Sequence, residues 1–144
     1  MNCFRTYARR VSANNSRTCW VLKCDIRKFF ASIDHSVLFE ILKKRIKDER
    51  TIELLVLVVG SFDSGVARVG LPLGNLTSQL LVNIYMNEFD QFAKHHLHEK
   101  YYIRYADDFV IFSHDRNHLV RLLEPIGLFL YMLLGLELHP RKVE

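Results

Sequence analysis

The chain has 144 residues, of which 49% are hydrophobic and 25% charged, so it is long enough for one domain with a real core and too apolar to be disordered. Its net charge of +4 is compatible with a polyanionic partner without requiring one. Three cysteines without metal-ligand spacing argue against a disulfide scaffold, and neither a leader-like segment nor an apolar run of about 20 residues is present, so we expect a cytoplasmic protein without a membrane partner.

The first half of the chain predicts one strand and two helices. A basic, polar segment covers 1–18, and the apolar strand that follows carries Asp25 near its end. Asp34 or Ser36 is suited to cap the first helix. The predicted ranges are 20–26 for the strand, and 37–46 and 52–59 for the helices.

The second half predicts a long helix, a hairpin and a last helix. A rigid Gly-Pro turn at 70–75 leads into a helix over 77–98, and the hairpin surrounds Asp107 and Asp108. The last helix contains Pro125, which predicts a kink or two shorter pieces, and a short strand is expected near the end of the chain. This order of elements favours an α+β fold, with an antiparallel sheet and helices packed on one face.

Two adjacent aspartates, Asp107 and Asp108, lie between aromatic and β-branched residues that are typical of strands. Like charges repel in a partly desolvated site unless a positive charge lies between them, and hard oxygen ligands suit magnesium. The alternative is that aspartate is simply a common turn residue. Asp25 supplies a third carboxylate if its strand neighbours the hairpin. Such a cluster could hold two divalent ions about 4 Å apart for in-line phosphoryl transfer.

Four ordered segments carry a family resemblance. They are Asp-Ile-Arg-Lys-Phe-Phe at 25–30, Gly-Leu-Pro-Leu-Gly-Asn-Leu-Thr-Ser-Gln at 70–79, Tyr-Ala-Asp-Asp at 105–108, and Gly-Leu-Glu-Leu-His-Pro-Arg-Lys at 135–142. Together they resemble the central motifs of reverse transcriptases. The resemblance implies a polymerase palm domain over 19–144, with 1–18 as a remnant of the fingers. In this interpretation the fingers are mostly absent and the thumb is absent.

The resemblance also implies the ligands of the metal ions. Asp25, Asp107 and Asp108 take the metal-binding and catalytic positions, with the backbone carbonyl of Ile26 as a further ligand. The implied cofactor is two Mg²⁺ ions, for which Mn²⁺ can substitute.

Further positions match substrate-binding or catalytic residues of the family. Phe30 matches the bulky group that crowds a ribose 2′-hydroxyl, with a core aromatic as the alternative. Gly74 matches a residue that lets the backbone approach the nucleotide pair; the alternative is a turn glycine before a helix, and both can be true. Lys142 matches a lysine that protonates pyrophosphate, with a solvated tail lysine as the alternative. The remaining candidates for substrate binding are Leu73, Gln79 and Tyr105.

The middle motif departs from the form found in many reverse transcriptases. Leu73-Gly74 and Ser78-Gln79 stand where group II intron enzymes have Gln-Gly and Ser-Pro. This variant resembles the enzymes of diversity-generating retroelements, which copy RNA with frequent errors. An apolar Leu73 removes a hydrogen-bonding group beside the incoming nucleotide, which predicts a looser check on pairing.

The expected function is therefore RNA-directed DNA polymerisation in a retroelement. The implied partners are an RNA template, a DNA or RNA primer, deoxynucleoside triphosphates and, if the chain is not a fragment, a chain that supplies fingers and thumb. The alternative is a truncated, non-catalytic remnant that binds nucleic acid or a partner chain. A palm-type nucleotide cyclase is less favoured, because Tyr105-Ala106 stand where that class has a glycine-rich hairpin.

Overall fold

The computed structural model describes residues 3–61 and 67–140. Within these ranges it contains five α-helices and three β-strands, joined by a 3₁₀ turn at Phe29–Ser32 and a π-helical turn at Phe92–His96. In chain order the elements are α1 (Cys3–Val11), β1 (Trp20–Cys24), α2 (His35–Arg45), α3 (Glu49–Gly60), α4 (Leu76–Gln91), β2 (Tyr102–Tyr105), β3 (Asp108–Ser113) and α5 (Arg116–Leu134).

The three strands form one antiparallel sheet in the order β1-β3-β2. Cys24 at the end of β1 pairs with Phe109, and Tyr105 at the end of β2 pairs with Asp108. The end of β1 therefore lies beside the hairpin that joins β2 to β3. The predicted α+β fold with an antiparallel sheet is confirmed.

The hydrophobic core lies between the sheet and the longer helices. Leu22 and Cys24 pair with Ile111 and Phe109, so these four buried side chains share one face of the sheet. The ring of Phe89 in α4 lies 4.9 Å from that of Phe109, and α5 packs against both β1 and β3. Helix α1 packs on the other face, through Phe4 and Phe112, whose ring centroids are 4.8 Å apart.

Short polar side chains cap the N-termini of α2 and α4. The Asp34 carboxylate accepts hydrogen bonds from the backbone N–H groups of Ser36 and Val37, at 2.7 and 3.1 Å, so the prediction of Asp34 as a cap is confirmed. Asn75 caps α4 in the same way, with its side chain 2.6 Å from the Ser78 nitrogen. Gly74, immediately before, has a φ of +88°, which explains the glycine as a turn residue.

Several predicted boundaries differ from the structure; α2 and α3, for example, begin at His35 and Glu49, ahead of the predicted 37 and 52. The first strand ends at Cys24 rather than residue 26, because Ile26 pairs with Leu138 in an isolated bridge and not with β3. This bridge also replaces the predicted final strand. The helix predicted over 77–98 ends at Gln91 and continues only as the π-helical turn, where the ring of Phe92 stacks on Phe129 at 4.1 Å.

Helix α5 runs unbroken through Pro125, so the prediction of two shorter pieces is wrong. Buried residues on both sides of the proline hold the helix against the core; they are Leu119, Leu122, Ile126, Leu130 and Leu134.

By length and composition alone, α5 is also long and apolar enough to cross a membrane, with a mean hydropathy of 1.2. The sequence predicted no membrane span, because the uninterrupted apolar run near the end of this helix is shorter than about 20 residues. Core helices of soluble proteins meet the same criterion, so the observation is weak evidence for a membrane span.

Candidate active site

An open cleft of about 470 Å³ lies where β1 ends beside the β2–β3 hairpin. Its walls include five of the residues predicted from the sequence, namely Asp25, Ile26, Phe30, Leu73 and Asp107. These residues come from three separate stretches of the chain. The cleft is therefore the candidate active site.

Backbone hydrogen bonds to the segment at 137–139 hold Asp25 at the cleft. Its carbonyl accepts a hydrogen bond from the His139 N–H at 2.8 Å, and the Arg27 N–H donates to the Glu137 carbonyl at 2.8 Å. The segment around the isolated bridge thus fixes the backbone of residues 25–27 beyond the end of β1. Asp25 is only 9% exposed, while the neighbouring cleft remains open.

Asp107 is placed by the hairpin turn. Only Ala106 and Asp107 separate β2 from β3, and Ala106 has a φ of +52°. Two-residue hairpin turns of the primed types require a positive φ at the first turn residue, which costs an alanine roughly 1–2 kcal/mol. The turn therefore stores strain directly before the half-buried Asp107.

A largely buried ion pair between helix α4 and strand β2 supports this strained turn. The Arg104 guanidinium donates to both carboxylate oxygens of Asp90, each at 2.8 Å, and to the Ala106 carbonyl at 3.0 Å. The Tyr102 hydroxyl donates to Asp90 at 2.7 Å, and Arg104 also reaches Asn83 at 3.2 Å. Through Arg104, helix α4 is connected by hydrogen bonds to the backbone of the turn formed by Ala106 and Asp107.

Electrostatics keep the Asp90 carboxylate charged. Burial alone would raise the pKa of Asp90, but the hydrogen bonds from Arg104 and Tyr102 outweigh it and hold the pKa below its ordinary value. Sequence reasoning missed both Asp90 and Arg104. The available signal was a charged residue within an apolar element in each case, since buried charges are normally paired.

The cleft also contains basic residues that the sequence did not single out. Arg27, Lys28 and His139 line it. The Arg27 guanidinium is 3.5 Å from the Glu137 carboxylate, and both side chains are more than half exposed. Lys28 has a φ of +48° at the start of the 3₁₀ turn. These groups bring positive charge to the edge of a site that contains two carboxylates.

Not every predicted residue lies in the cleft. Asp108, Gly74, Gln79 and Tyr105 do not line it, and Asp108 and Tyr105 are exposed where the hairpin strands meet the turn. Lys142 lies outside the described residues. Within 3–61 and 67–140, no group of three or more His, Cys, Asp or Glu side chains is arranged to hold a metal ion. The structure thus brings two of the three predicted carboxylates into one cleft.

Cys24, directly before Asp25, is fully buried. Burial raises the pKa of its thiol to about 12, so the group stays protonated and has the character of a small core residue.

Comparisons with known proteins identify the family of the chain. The family model described as reverse transcriptase (RNA-dependent DNA polymerase) matches residues 2–144. Protein YkfC of Escherichia coli is 37% identical over 91 residues, which cover 60% of this chain and 23% of YkfC. The group II intron-encoded protein LtrA of Lactococcus lactis is 33% identical over 79 residues, covering 51% of this chain and 13% of LtrA.

Solved telomerase structures share the fold. Apo telomerase from Candida tropicalis, truncated from its C-terminal domain, superposes with a TM-score of 0.74 at 14% identity, covering 98% of this chain and 33% of that one. Telomerase from Candida albicans gives a TM-score of 0.72 at 12% identity, covering 99% of this chain and 30% of that one. The chain spans less than a quarter of the curated relatives named above. From the family model that matches nearly its whole length, the chain belongs to the reverse transcriptase (RNA-dependent DNA polymerase) family.

Proposed function

We propose that this chain forms the palm of an RNA-directed DNA polymerase, which adds deoxynucleotides to a primer 3′-hydroxyl on an RNA template. The observation that carries the proposal is the meeting of Asp25 and Asp107 in one open cleft at the end of the sheet. Membership of the reverse transcriptase family supports the class of reaction.

The residue types in the cleft fit the divalent ions that the family implies. Carboxylate and carbonyl oxygens are the ligands that magnesium prefers, and the side chains of Asp25 and Asp107 with the carbonyl of Ile26 would supply them. Asp108, exposed at the start of β3, adds negative charge beside this pair. Two bound Mg²⁺ ions, or Mn²⁺ in their place, would make the 3′-hydroxyl a better nucleophile and neutralise the leaving pyrophosphate.

Other side chains of the cleft would bind the nucleotide. Arg27 and Lys28 offer positive charge to the triphosphate, which carries several negative charges. Phe30 is half-buried in the wall, with its ring 5.4 Å from that of Phe29 in the core. A ring held in this way would restrict space at the ribose 2′ position and favour deoxynucleotides. The roles of Gly74, Gln79, Tyr105 and Lys142 remain those implied by the resemblance.

We further propose that the template–primer duplex is gripped by segments or partner chains outside the palm. We also propose that the protein is cytoplasmic and that its gene belongs to a retroelement.

Leu73 is 78% exposed on the cleft wall, where it offers no hydrogen bond to a nucleotide. This supports the proposal that pairing is checked loosely, as in diversity-generating retroelements.

Primer extension on an RNA template tests the proposed reaction. Asp25→Asn and Asp107→Asn should each lower magnesium-dependent extension by at least 100-fold, on the order of the losses seen when electrostatic groups are removed from active sites. Glu124→Gln, which removes an exposed carboxylate on α5, should extend primers like the unmodified chain. Extension that survives Asp107→Asn would contradict the assigned role.

The second candidate is a non-catalytic module that binds nucleic acid or a partner chain. It is favoured by exposed apolar residues on the outer faces of α3 and α5, including Leu54, Leu57, Tyr131, Met132 and Leu133. It predicts RNA or partner binding that is unaffected by Mg²⁺, with no extension by a chain in which both Asp25 and Asp107 are intact.

A further inference from the structure

A basic pocket lies at the end of the sheet away from the aspartate cleft. Strand β3 begins at Asp108, beside the cleft, and ends at Ser113, which lines a pocket of about 400 Å³. At about 3.4 Å per residue, the two sites are separated by about 17 Å along this strand. We call this second site the distal basic pocket, and we define it by Arg10, Arg17, His98, Lys100, His114 and His118.

Positive charge predominates in the distal basic pocket. Arg10, Arg17 and Lys100 carry fixed positive charges, and Glu99 is the acidic residue among the described residues that line it. Glu99 is buried, and its carboxylate lies 2.7 Å from the His118 ring nitrogen. Among the ion pairs formed by described residues, none involves Arg10, Arg17 or Lys100. The pocket therefore presents three positive charges that form no ion pair with an acidic side chain in 3–61 or 67–140.

The walls of this pocket are held in place by further contacts. The Arg17 Nε donates to the Val11 carbonyl at 2.8 Å, and the Lys100 ammonium lies 5.8 Å from the centre of the Tyr101 ring. The Tyr101 ring in turn contacts Tyr7 of α1, with centroids 5.4 Å apart. Because these contacts restrict the Arg17 and Tyr101 side chains, a ligand would lose less free energy in ordering those two groups.

We propose that the distal basic pocket binds the phosphate backbone of single-stranded RNA outside the templating cleft. Three cations that lack an ion pair among the described residues lie beside a half-exposed tyrosine ring. This arrangement matches the way in which single strands are bound, by backbone charge and base stacking. RNA is the polyanion that a member of this family must hold in order to copy it. The inference adds a second RNA contact to the proposed function, and it rests on family membership rather than on the chemistry of the cleft.

Fluorescence anisotropy with a short, labelled single-stranded RNA tests the proposal, using the full chain in EDTA over a range of KCl concentrations. The variant Arg10→Gln/Lys100→Gln leaves the backbone contact of Arg17 intact. Two lost phosphate contacts should reduce the slope of log affinity against log salt by about 1.4, since each single-strand contact contributes about 0.7. Affinity near physiological salt should fall on the order of 10-fold.

The matched control is Lys43→Gln/Arg45→Gln, which removes one lysine and one arginine from the exposed side of α2. It should change the affinity less than about twofold, as expected for a loss of net charge alone. Equal losses in the two variants, or an unchanged slope in the pocket variant, would overturn the proposal. Displacement of the RNA by millimolar inorganic phosphate at constant ionic strength would also overturn it, in favour of a small-anion site. Because neither metal nor nucleotide is present, the result is independent of whether the chain polymerises.

Discussion

Arg104 contacts both the carboxylate of Asp90 and the backbone of the turn that carries Asp107. Its side chain is 9% exposed, so loss of the Asp90 charge would leave a nearly buried guanidinium with neutral acceptors only. We expect Asp90→Asn to lower the free energy of unfolding by about 3 kcal/mol, the lower end of the range for broken buried pairs. Urea denaturation followed by circular dichroism measures this change.

Glu137→Gln is the control for this prediction. It removes the partner of Arg27 from a pair in which both side chains are more than half exposed, so the free energy of unfolding should change by less than about 1 kcal/mol. Equal effects of the two substitutions would show that burial of Arg104 has no influence on its pairing energy.

The lowered pKa of Asp90 predicts how this effect depends on pH. A carboxyl whose pKa is lower in the folded chain stabilises the fold above its unfolded pKa of about 3.9, and this stabilisation is lost as the pH falls through the folded value. The difference in unfolding free energy between the unmodified chain and Asp90→Asn should be constant near neutral pH and shrink below about pH 4. A difference that persists in strong acid would mean that Asp90 acts through shape and not through charge.

The positions of single residues could be predicted from the sequence where residue type and spacing within one short segment both indicate the same structure. Asp107 follows an aromatic strand and precedes another, so its place at a turn was predictable. The Asp90–Arg104 pair was not, because it joins a helix to a strand, and no local pattern shows which distant charge a buried arginine meets. The cleft residues Arg27 and His139 were missed for a related reason, since the bridge between Ile26 and Leu138 brings them together.

At the scale of the elements, α5 contradicts local propensity. A proline in a helix interior removes one backbone hydrogen bond and costs about 3 kcal/mol, yet the helix continues because the residues around it are buried. We expect Pro125→Ala to raise the free energy of unfolding by about 1–2 kcal/mol, less than the full cost, because proline also restricts the unfolded chain. Thermal and urea unfolding would measure the gain.

Gly127→Ala calibrates this prediction in the same helix. A Cβ at Gly127 meets nothing within 4 Å, so alanine should add the usual helical gain of about 1 kcal/mol. If Pro125→Ala destabilises the chain while Gly127→Ala stabilises it, the proline has a structural role that local helix energetics does not include.

Caps and turns were the elements that the sequence predicted best. Asp34 caps α2 because its short side chain reaches two free backbone N–H groups, a requirement that depends on neighbouring residues alone. The π-helical turn at Phe92–His96 was not predictable in this way. Its residues have ordinary helical character, and stacking of Phe92 on Phe129 of the distant α5 accompanies the change in winding.

At the scale of the whole molecule, the sheet separates two sites of different charge. The end of β3 at Asp108 adjoins a cleft with carboxylates in its wall, and the other end opens on the distal basic pocket. The exposed apolar residues of α3 and α5 lie on helices that cover the core from outside, and relatives of this chain are several times longer. We therefore expect the palm to act together with further protein segments.

We expect Asp25 and Asp107 to hold divalent ions in the cleft where β1 meets the hairpin. Anomalous diffraction from a crystal soaked in MnCl₂ would locate these ions. A manganese peak should lie within bonding distance of both carboxylates and should disappear from crystals of Asp107→Asn. A saturated soak in which manganese binds elsewhere and leaves this cleft empty would contradict this expectation.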